Sequence, residues 1–246
     1  MRTSQGSKQS AQEAKRQEGL GNSPSSSRRF LLLLQIADSG FPVGGFAHSH
    51  GLEAMLKWGL LRDPAAVERF LTDAVTQVAS GNLDFVQAAY RETAFQPLDH
   101  VCDAFLNNHV ANRASRRQGQ AFLSTVTSVF AFPNLIDFST FVREQQLPGH
   151  FAPIFGRCTS LLGLQERESL ELFLLMVLRG LLSSAIRLSL IGPLRAQALQ
   201  YELAPSVMSF VDRWTQSDSP AFCQTAPVID LLQATHDRVY SRLFQS

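Results

Sequence analysis

Asp63-Pro64-Ala65-Ala66-Val67-Glu68-Arg69-Phe70-Leu71-Thr72-Asp73-Ala74-Val75-Thr76-Gln77-Val78 carries both a helix start and a helix period. Asp63 supplies an N-cap side chain, and Pro64 takes the first helical position, where its missing N–H leaves nothing unpaired. Val67, Phe70, Leu71, Ala74, Val75 and Val78 then recur at three and four, one apolar stripe, with Gly81 as the expected end. The same period continues outward. Phe85, Ala88 and Ala89 begin a second stripe. A helix is predicted over 99–109 with Val101, Phe105 and Leu106 inward, and another over 112–129 with a basic first turn. A short helix opens at Asp137 or Ser139 and closes before Pro148, and a packed one covers 151–162 around Gly156. Residues 170–190 are the longest apolar stretch, apolar on most sides, which predicts a helix inside a bundle. Gly180 and Ser184, four apart, would let a neighbouring helix come close. Pro193 opens a helix to about Leu203, and Pro227 opens the last, with Val228, Leu232, Val239 and Leu243 as its stripe. No alternating run with an Asn-Gly or Asp-Gly turn occurs, and no long repeat. The expected fold class is all-α, a single-domain helical bundle of about eight to ten helices.

The chain has 246 residues, 45% of them hydrophobic, enough for a sizeable core. A net charge of +1 gives no bias toward nucleic acid or acidic substrates. The charge is uneven: residues 1–29 hold Arg2, Lys8, Lys15, Arg16, Arg28 and Arg29 against Glu13 and Glu18, so this tail is +4 and the remainder −3. Residues 1–28 are rich in Ser, Gln, Gly and basic side chains and contain no aromatic, which predicts a disordered basic tail before an all-helical domain over 29–246. Cys102, Cys158 and Cys223 stand far apart without a C-x-x-C, as expected of reduced thiols in a cytoplasmic protein. Ser27-Arg28-Arg29-Phe30-Leu31 resembles a twin-arginine signal, but its apolar run is short, is broken by Gln35 and Asp38, and has no small-residue cleavage site after it, so export is not expected. Glu171, Arg179 and Arg187 make 170–191 a buried helix rather than a membrane span.

The connector Phe41-Pro42-Val43-Gly44-Gly45-Phe46-Ala47-His48-Ser49-His50-Gly51-Leu52-Glu53 keeps three large apolar side chains where a plain loop would be polar, so it is expected to pack. His48 and His50, with Asp38 and Glu53 near in sequence, admit a metal site; a helix-capping loop with two incidental histidines is the competing reading, and the one preferred. Cys102 and His109 are too widely spaced to form a metal pair on their own. The glycines precede a helix, but no Gly-Lys-Ser/Thr follows and no strand precedes, so neither a P-loop nor a dinucleotide fold is indicated. No Gly-x-Ser-x-Gly elbow occurs. Glu166, Glu168 and Glu171 read as a solvated helix start, favoured by the helix dipole. Arg179, Ser183 and Arg187 form a row on the apolar helix, either a structural ion pair or the lining of a polar channel or interface. The C-terminal stretch holds Tyr240, Arg242, Leu243 and Phe244, unusual for a chain end. It fits either an interface anchor or docking onto the protein's own core.

Together these segments resemble the urease accessory protein F family (UreF). The loop Phe41-Pro-x-Gly-x-Phe-x-His-Ser-x-Gly-Leu-Glu53 looks like its N-terminal signature, Arg187-x-x-x-x-Gly192-x-x-x-x-Gln197 its central one, and Ala226-Pro…His236…Tyr240-Ser-Arg-Leu-Phe-x-Ser246 its C-terminal one. Arg113…Ser115…Gln118-Gly119 and His150…Gly156 are weaker echoes. The likeness covers residues 30–246, with the motifs in the family's order. It implies an all-α, non-enzymatic, cytoplasmic homodimer that acts in maturation of the nickel enzyme urease. The implied partners are a second accessory protein (D or H), a nickel-carrying GTPase (G) and apo-urease, with no nucleic acid and no membrane. No stably bound cofactor is implied; nickel is handled by the complex, with a channel for the ion through the accessory proteins. Motif by motif, Phe41, Pro42, Gly44, Phe46, His48, Ser49, Gly51 and Glu53 would form the loop that meets the GTPase. Arg187, Gly192 and Gln197 would form a central polar gate, and His236, Tyr240, Arg242, Leu243 and Phe244 the segment that docks the D/H partner. No catalytic residue or metal ligand is implied. Two departures stand out: the long helix reads Glu171-Leu-Phe-Leu-Leu175 where the family often carries Arg and aromatics, and Gly192-Pro193 replaces a more usual Gly-Gln step. The alternatives are a direct nickel-binding metallochaperone using His48 and His50, or a helical interaction module unconnected with urease.

Overall fold

The Asp63 carboxylate accepts the Ala66 N–H at 2.7 Å, and the helix it caps runs from Pro64 to Tyr90. The computed structural model describes residues 26–45, 48–91, 94–215, 222–240 and 242–245. These contain ten α-helices and no strand: α1 Ser26–Ala37, α2 Leu52–Lys57, α3 Pro64–Tyr90, α4 Phe95–Phe105, α5 His109–Phe130, α6 Pro133–Glu144, α7 Phe151–Leu161, α8 Glu166–Arg187, α9 Pro193–Thr215 and α10 Pro227–Ala234, with a 3₁₀ turn at His236–Arg238. The fold is all-α, as the periodicity predicts. The basic tail lies outside the described residues up to residue 25; Ser26–Arg28, assigned to it, are the first turn of α1.

α8 is the axis of the bundle. It packs on α1, α3, α7 and α9, and α3 and α7 pack on each other. A capping box between Gln165 and Glu168 opens α8, and Leu170, Phe173, Leu174, Leu181 and Ala185 are sealed inside. Among the described residues one helix, α8, is long and apolar enough to cross a membrane; 61% of that window is buried inside the fold, as in a core helix. Phe173 stacks on Phe151 at 5.4 Å and meets Phe155 edge-on, so the one aromatic retained in 171–175 belongs to the core.

Gly81 does not end α3. A Cβ there would sit 3.3 Å from the Phe105 ring and 3.4 Å from the Cys223 carbonyl, so its smallness admits neighbours while the helix continues through it. Close approach is tighter at Gly156, where a Cβ would overlap the Val86 carbonyl of α3, and at Gly119, where it would overlap the Gly149 carbonyl. Gly180 behaves oppositely: nothing among the described residues lies within 4 Å of its missing Cβ. At the other member of the pair, Ser184 Oγ donates to the His48 carbonyl at 3.2 Å, so the loop before α2 lies against it.

Other boundaries move for local reasons. Ala94 and Pro97 open α4 well before residue 99, and Val101, expected inward, is 48% exposed. Asn108 caps α5 by accepting the Val110 and Ala111 N–H groups, which places His109 in α5 rather than at the end of α4. Pro133, not Asp137 or Ser139, starts α6. α9 runs past Leu203 to Thr215, with Pro205 inside it. In α10 the inward set is Ile229, Leu232 and Gln233, followed by His236; Val228 and Leu243, expected inward, are 63% and 53% exposed.

Candidate functional site

The loop between α1 and α2 lies on α5 and does pack. Phe41 is buried, stacked on Phe130 at 6.2 Å and edge-on to Phe122. Thr125 Oγ1 donates to the Pro42 carbonyl at 2.9 Å. Gly44 has φ of +72°, and a Cβ on Gly45 would meet Gln118 Nε2 at 2.7 Å, so both glycines let the backbone lie against α5. Phe46 falls outside the described residues. Beyond it the loop turns inward. His48 and Ser49 are buried, contrary to the expectation that His48 faces a partner. His50 and Gly51 both take positive φ, +52° and +90°, and a Cβ on Gly51 would press on the Ile229 carbonyl of α10. Burial, and then the nearby His50 and Arg117, depress His48 to about 4; burial alone depresses His50 to about 4. Both rings are neutral at neutral pH.

Glu53 joins the loop to the chain end. Its carboxylate is 1% exposed on α2 and accepts the Leu243 N–H at 2.6 Å, the Phe244 N–H at 3.1 Å and the His236 Nε2–H at 3.2 Å. The His236 ring is fully enclosed. Phe244 is buried, and the Arg187 guanidinium lies 4.2 Å from its ring centroid, a cation–π contact. Asp237, in the 3₁₀ turn, pairs with Arg113 and His109 of α5 and with Arg242 of the tail. The candidates from three distant segments therefore meet: Ser49 and Glu53 from the loop, Arg187 from the end of α8, and His236 and Phe244 from the tail. Of the expected gate, Arg187 faces the tail, whereas Gln197 lines a cavity of about 440 Å³ together with His48, His50, Arg179, Ser183 and Gln233. Gly192 is exposed, with nothing among the described residues within 4 Å of its missing Cβ, so Arg187, Gly192 and Gln197 are not one cluster there.

The UreF family profile matches residues 61–204. Urease accessory protein F of Arabidopsis thaliana is 35% identical over 221 residues, 86% of this chain and 90% of the relative. The chain belongs to the UreF family of urease accessory proteins. The rice (Oryza sativa subsp. japonica) urease accessory protein F is likewise 35% identical over 215 residues, 85% of this chain and 82% of its own length. Urease accessory protein UreF of Arthrobacter sp. is 29% identical over 217 residues, 88% and 96% of the two chains.

Within this UreF chain, the tail candidates divide by exposure. His236 and Phe244 hold the tail down, whereas Tyr240 is fully exposed and Leu243 half-exposed. The sequence reading missed three exposed residues on α10 and at the end of α2. Val228 and Leu231 stand on the outer face of α10, and Trp58, 56% exposed, donates its indole N–H to Thr235 Oγ1 at 3.2 Å. The signal that would have found them is the competing stripe Ile229, Leu232, His236, which turns Val228 and Leu231 outward. Of the two carboxylates in the metal reading of the loop, Glu53 is engaged by the tail, and Asp38 Oδ1 accepts the Gly40 N–H at 2.6 Å. Among the described residues no group of three His, Cys, Asp or Glu side chains is arranged to hold a metal ion.

Proposed function

We propose that this chain is a scaffold in urease maturation, which binds a D/H-type accessory protein through its C-terminal face and presents its glycine loop to the GTPase that carries nickel. Its work is binding, in the cytoplasm and as a homodimer, and the nickel ion is cargo of the assembly. The observation that supports this reading is the Glu53 latch. One buried carboxylate accepts hydrogen bonds from the tail and belongs to the helix that the loop enters. A partner seated on Tyr240, Leu243, Val228, Leu231 and Trp58 would hold the tail on Glu53 and thereby fix the loop behind it. Apolar anchors of this type commonly dominate an interface.

The test is co-purification with the D/H protein, the GTPase and apo-urease. A Tyr240→Ala/Leu243→Asp double variant should lose the D/H partner, by at least ~10-fold in affinity if these are hot spots, with an unchanged circular dichroism spectrum. Phe46→Ala should retain the D/H partner and lose the GTPase. Normal urease activation by both variants would sink the assignment.

A further inference from the structure

α5 begins with a basic face. His109, Arg113, Arg116 and Arg117 fall at i, i+4, i+7 and i+8, one side of the helix, and no Asp or Glu occurs between His109 and Phe130. Arg113 Nη2 donates to both oxygens of Asp237, at 2.9 and 3.0 Å. The same carboxylate accepts from Arg242 Nη1 at 3.1 Å and lies 3.3 Å from His109 Nε2, so one aspartate ties the tail to α5. Arg116 pairs with Asp103, but that carboxylate is shared. Asn112 Nδ2 donates to it at 2.8 Å, and the buried His150 ring, whose other nitrogen lies 3.1 Å from Ser115 Oγ, meets it at 3.0 Å.

Stability does not account for the row. The side chains of Arg113, Asp237, Arg116 and Asp103 are 31% to 43% exposed. Ion pairs this wet contribute little, because water screens them and ordering two long side chains costs entropy. The charges are also unbalanced. Arg117 is one turn along from Arg113, Arg238 follows Asp237 in the chain, and both are exposed. Arg113, Arg117 and His236 of the tail all lie close enough to the buried His48 ring to oppose its protonation, which puts the row and the tail in one neighbourhood. Arg113, Arg116, Arg117, Arg238 and Arg242 thus share two surface carboxylates, a surplus of three positive charges. Glu53 and Asp99 are sealed beneath, bonded to backbone N–H groups. Residues 30–246 together carry −3, so this face reverses the sign of its own chain.

The face is continuous with the exposed apolar side chains of the tail. Arg238, Tyr240, Arg242 and Leu243 interleave charge with apolar surface, and all four are exposed. Apolar side chains set among cations fit a folded protein with an acidic patch; the uniform charge of a nucleic acid backbone would call for a longer basic track. We propose that the arginine face is the charged half of the C-terminal docking surface, and that its occupant is an acidic patch on the D/H-type accessory protein. This rests on the scaffold reading above and adds a division of labour to it. The arginines draw the partner in and orient it, which acts on the association rate and is screened by salt. Tyr240 and Leu243 then hold it, which acts on the dissociation rate.

The test measures association and dissociation of the full chain with the purified D/H-type accessory protein by stopped flow, between about 20 and about 500 mM NaCl. The wild-type association rate should fall at least ~10-fold across that range. At low salt, Arg117→Glu/Arg238→Glu should associate roughly 10-fold or more slowly than wild type with little change in dissociation, and Arg117→Lys/Arg238→Lys should restore the rate, because charge and not fork geometry is used. Tyr240→Ala should do the reverse, speeding dissociation at an unchanged association rate. A wild-type association rate indifferent to salt, or one equal in the charge-reversed variant, would overturn the inference and leave the scaffold reading standing. A wild-type chain that does not bind the D/H protein at all would overturn both. The salt series on the wild type keeps the test decisive even if a variant folds poorly.

Discussion

Glu53 and Phe244 show how much one side chain can decide. A carboxylate almost free of solvent is tolerable because three donors converge on it. Glu53→Gln replaces one acceptor oxygen with a donating amide NH2 that faces an N–H, leaving buried donors unmatched at a cost of about 1–3 kcal/mol. The expected outcome is a lower thermal midpoint and faster protease cleavage after residue 238, read by limited proteolysis. Phe244→Ala removes a buried ring and the Arg187 contact, which would cost about 3–5 kcal/mol in a closed core. A segment held by these few contacts can detach without unfolding the bundle, so the loss of global stability should be smaller than that range. Hydrogen exchange of the Leu243 and Phe244 amides should rise toward the rate of a free chain. Unchanged exchange in both variants would mean that the latch does not hold the tail.

At the scale of elements, glycines set which helices meet and how closely. α7 crosses α3 where Gly156 faces the Val86 carbonyl, and α5 meets the turn before α7 where Gly119 faces Gly149. Gly156→Ala must push α7 off α3 and should destabilise by roughly 3 kcal/mol or more. Gly180→Ala, on α8 with open space at its Cβ, should instead stabilise by up to about 1 kcal/mol through helix propensity. Urea denaturation of the pair measures both, and equal effects would contradict the packing described. The stripe from Val67 to Val78 was legible because an exposed face demands polar residues opposite the buried one. The continuation of α3 past Gly81 was not, because a glycine that breaks a helix and one that admits a neighbour look alike until the neighbour, here Phe105, is in place.

At the scale of the whole molecule, acidity acts through the buried loop. His48 and His50 titrate near 4 when folded and near the ordinary ~6.5 when unfolded. Between those values the unfolded chain binds protons that the folded chain refuses, so stability is full above about pH 6.5 and falls as pH drops toward 4. His50→Asn keeps a residue type suited to positive φ and removes one of the two groups, so its urea midpoint should fall less between pH 7 and pH 5 than that of the wild type. An identical fall would show that carboxylates elsewhere govern acid lability. The all-α class, the Asp63-Pro64 start, the central place of α8 and the packed character of the glycine loop follow from sequence alone. They rest on local rules, capping and a period of 3.6, that neighbouring residues enforce. The three family motifs are also local and so were readable in order. That Glu53, Arg187, His236 and Phe244 form one cluster, that the Tyr240 and Leu243 side chains stay exposed, and that Ser115, His150 and Asp103 share hydrogen bonds was decided by tertiary structure alone. Contacts between residues 35 to 191 positions apart depend on how helices cross and on which face a chain end finds, and no local pattern records that.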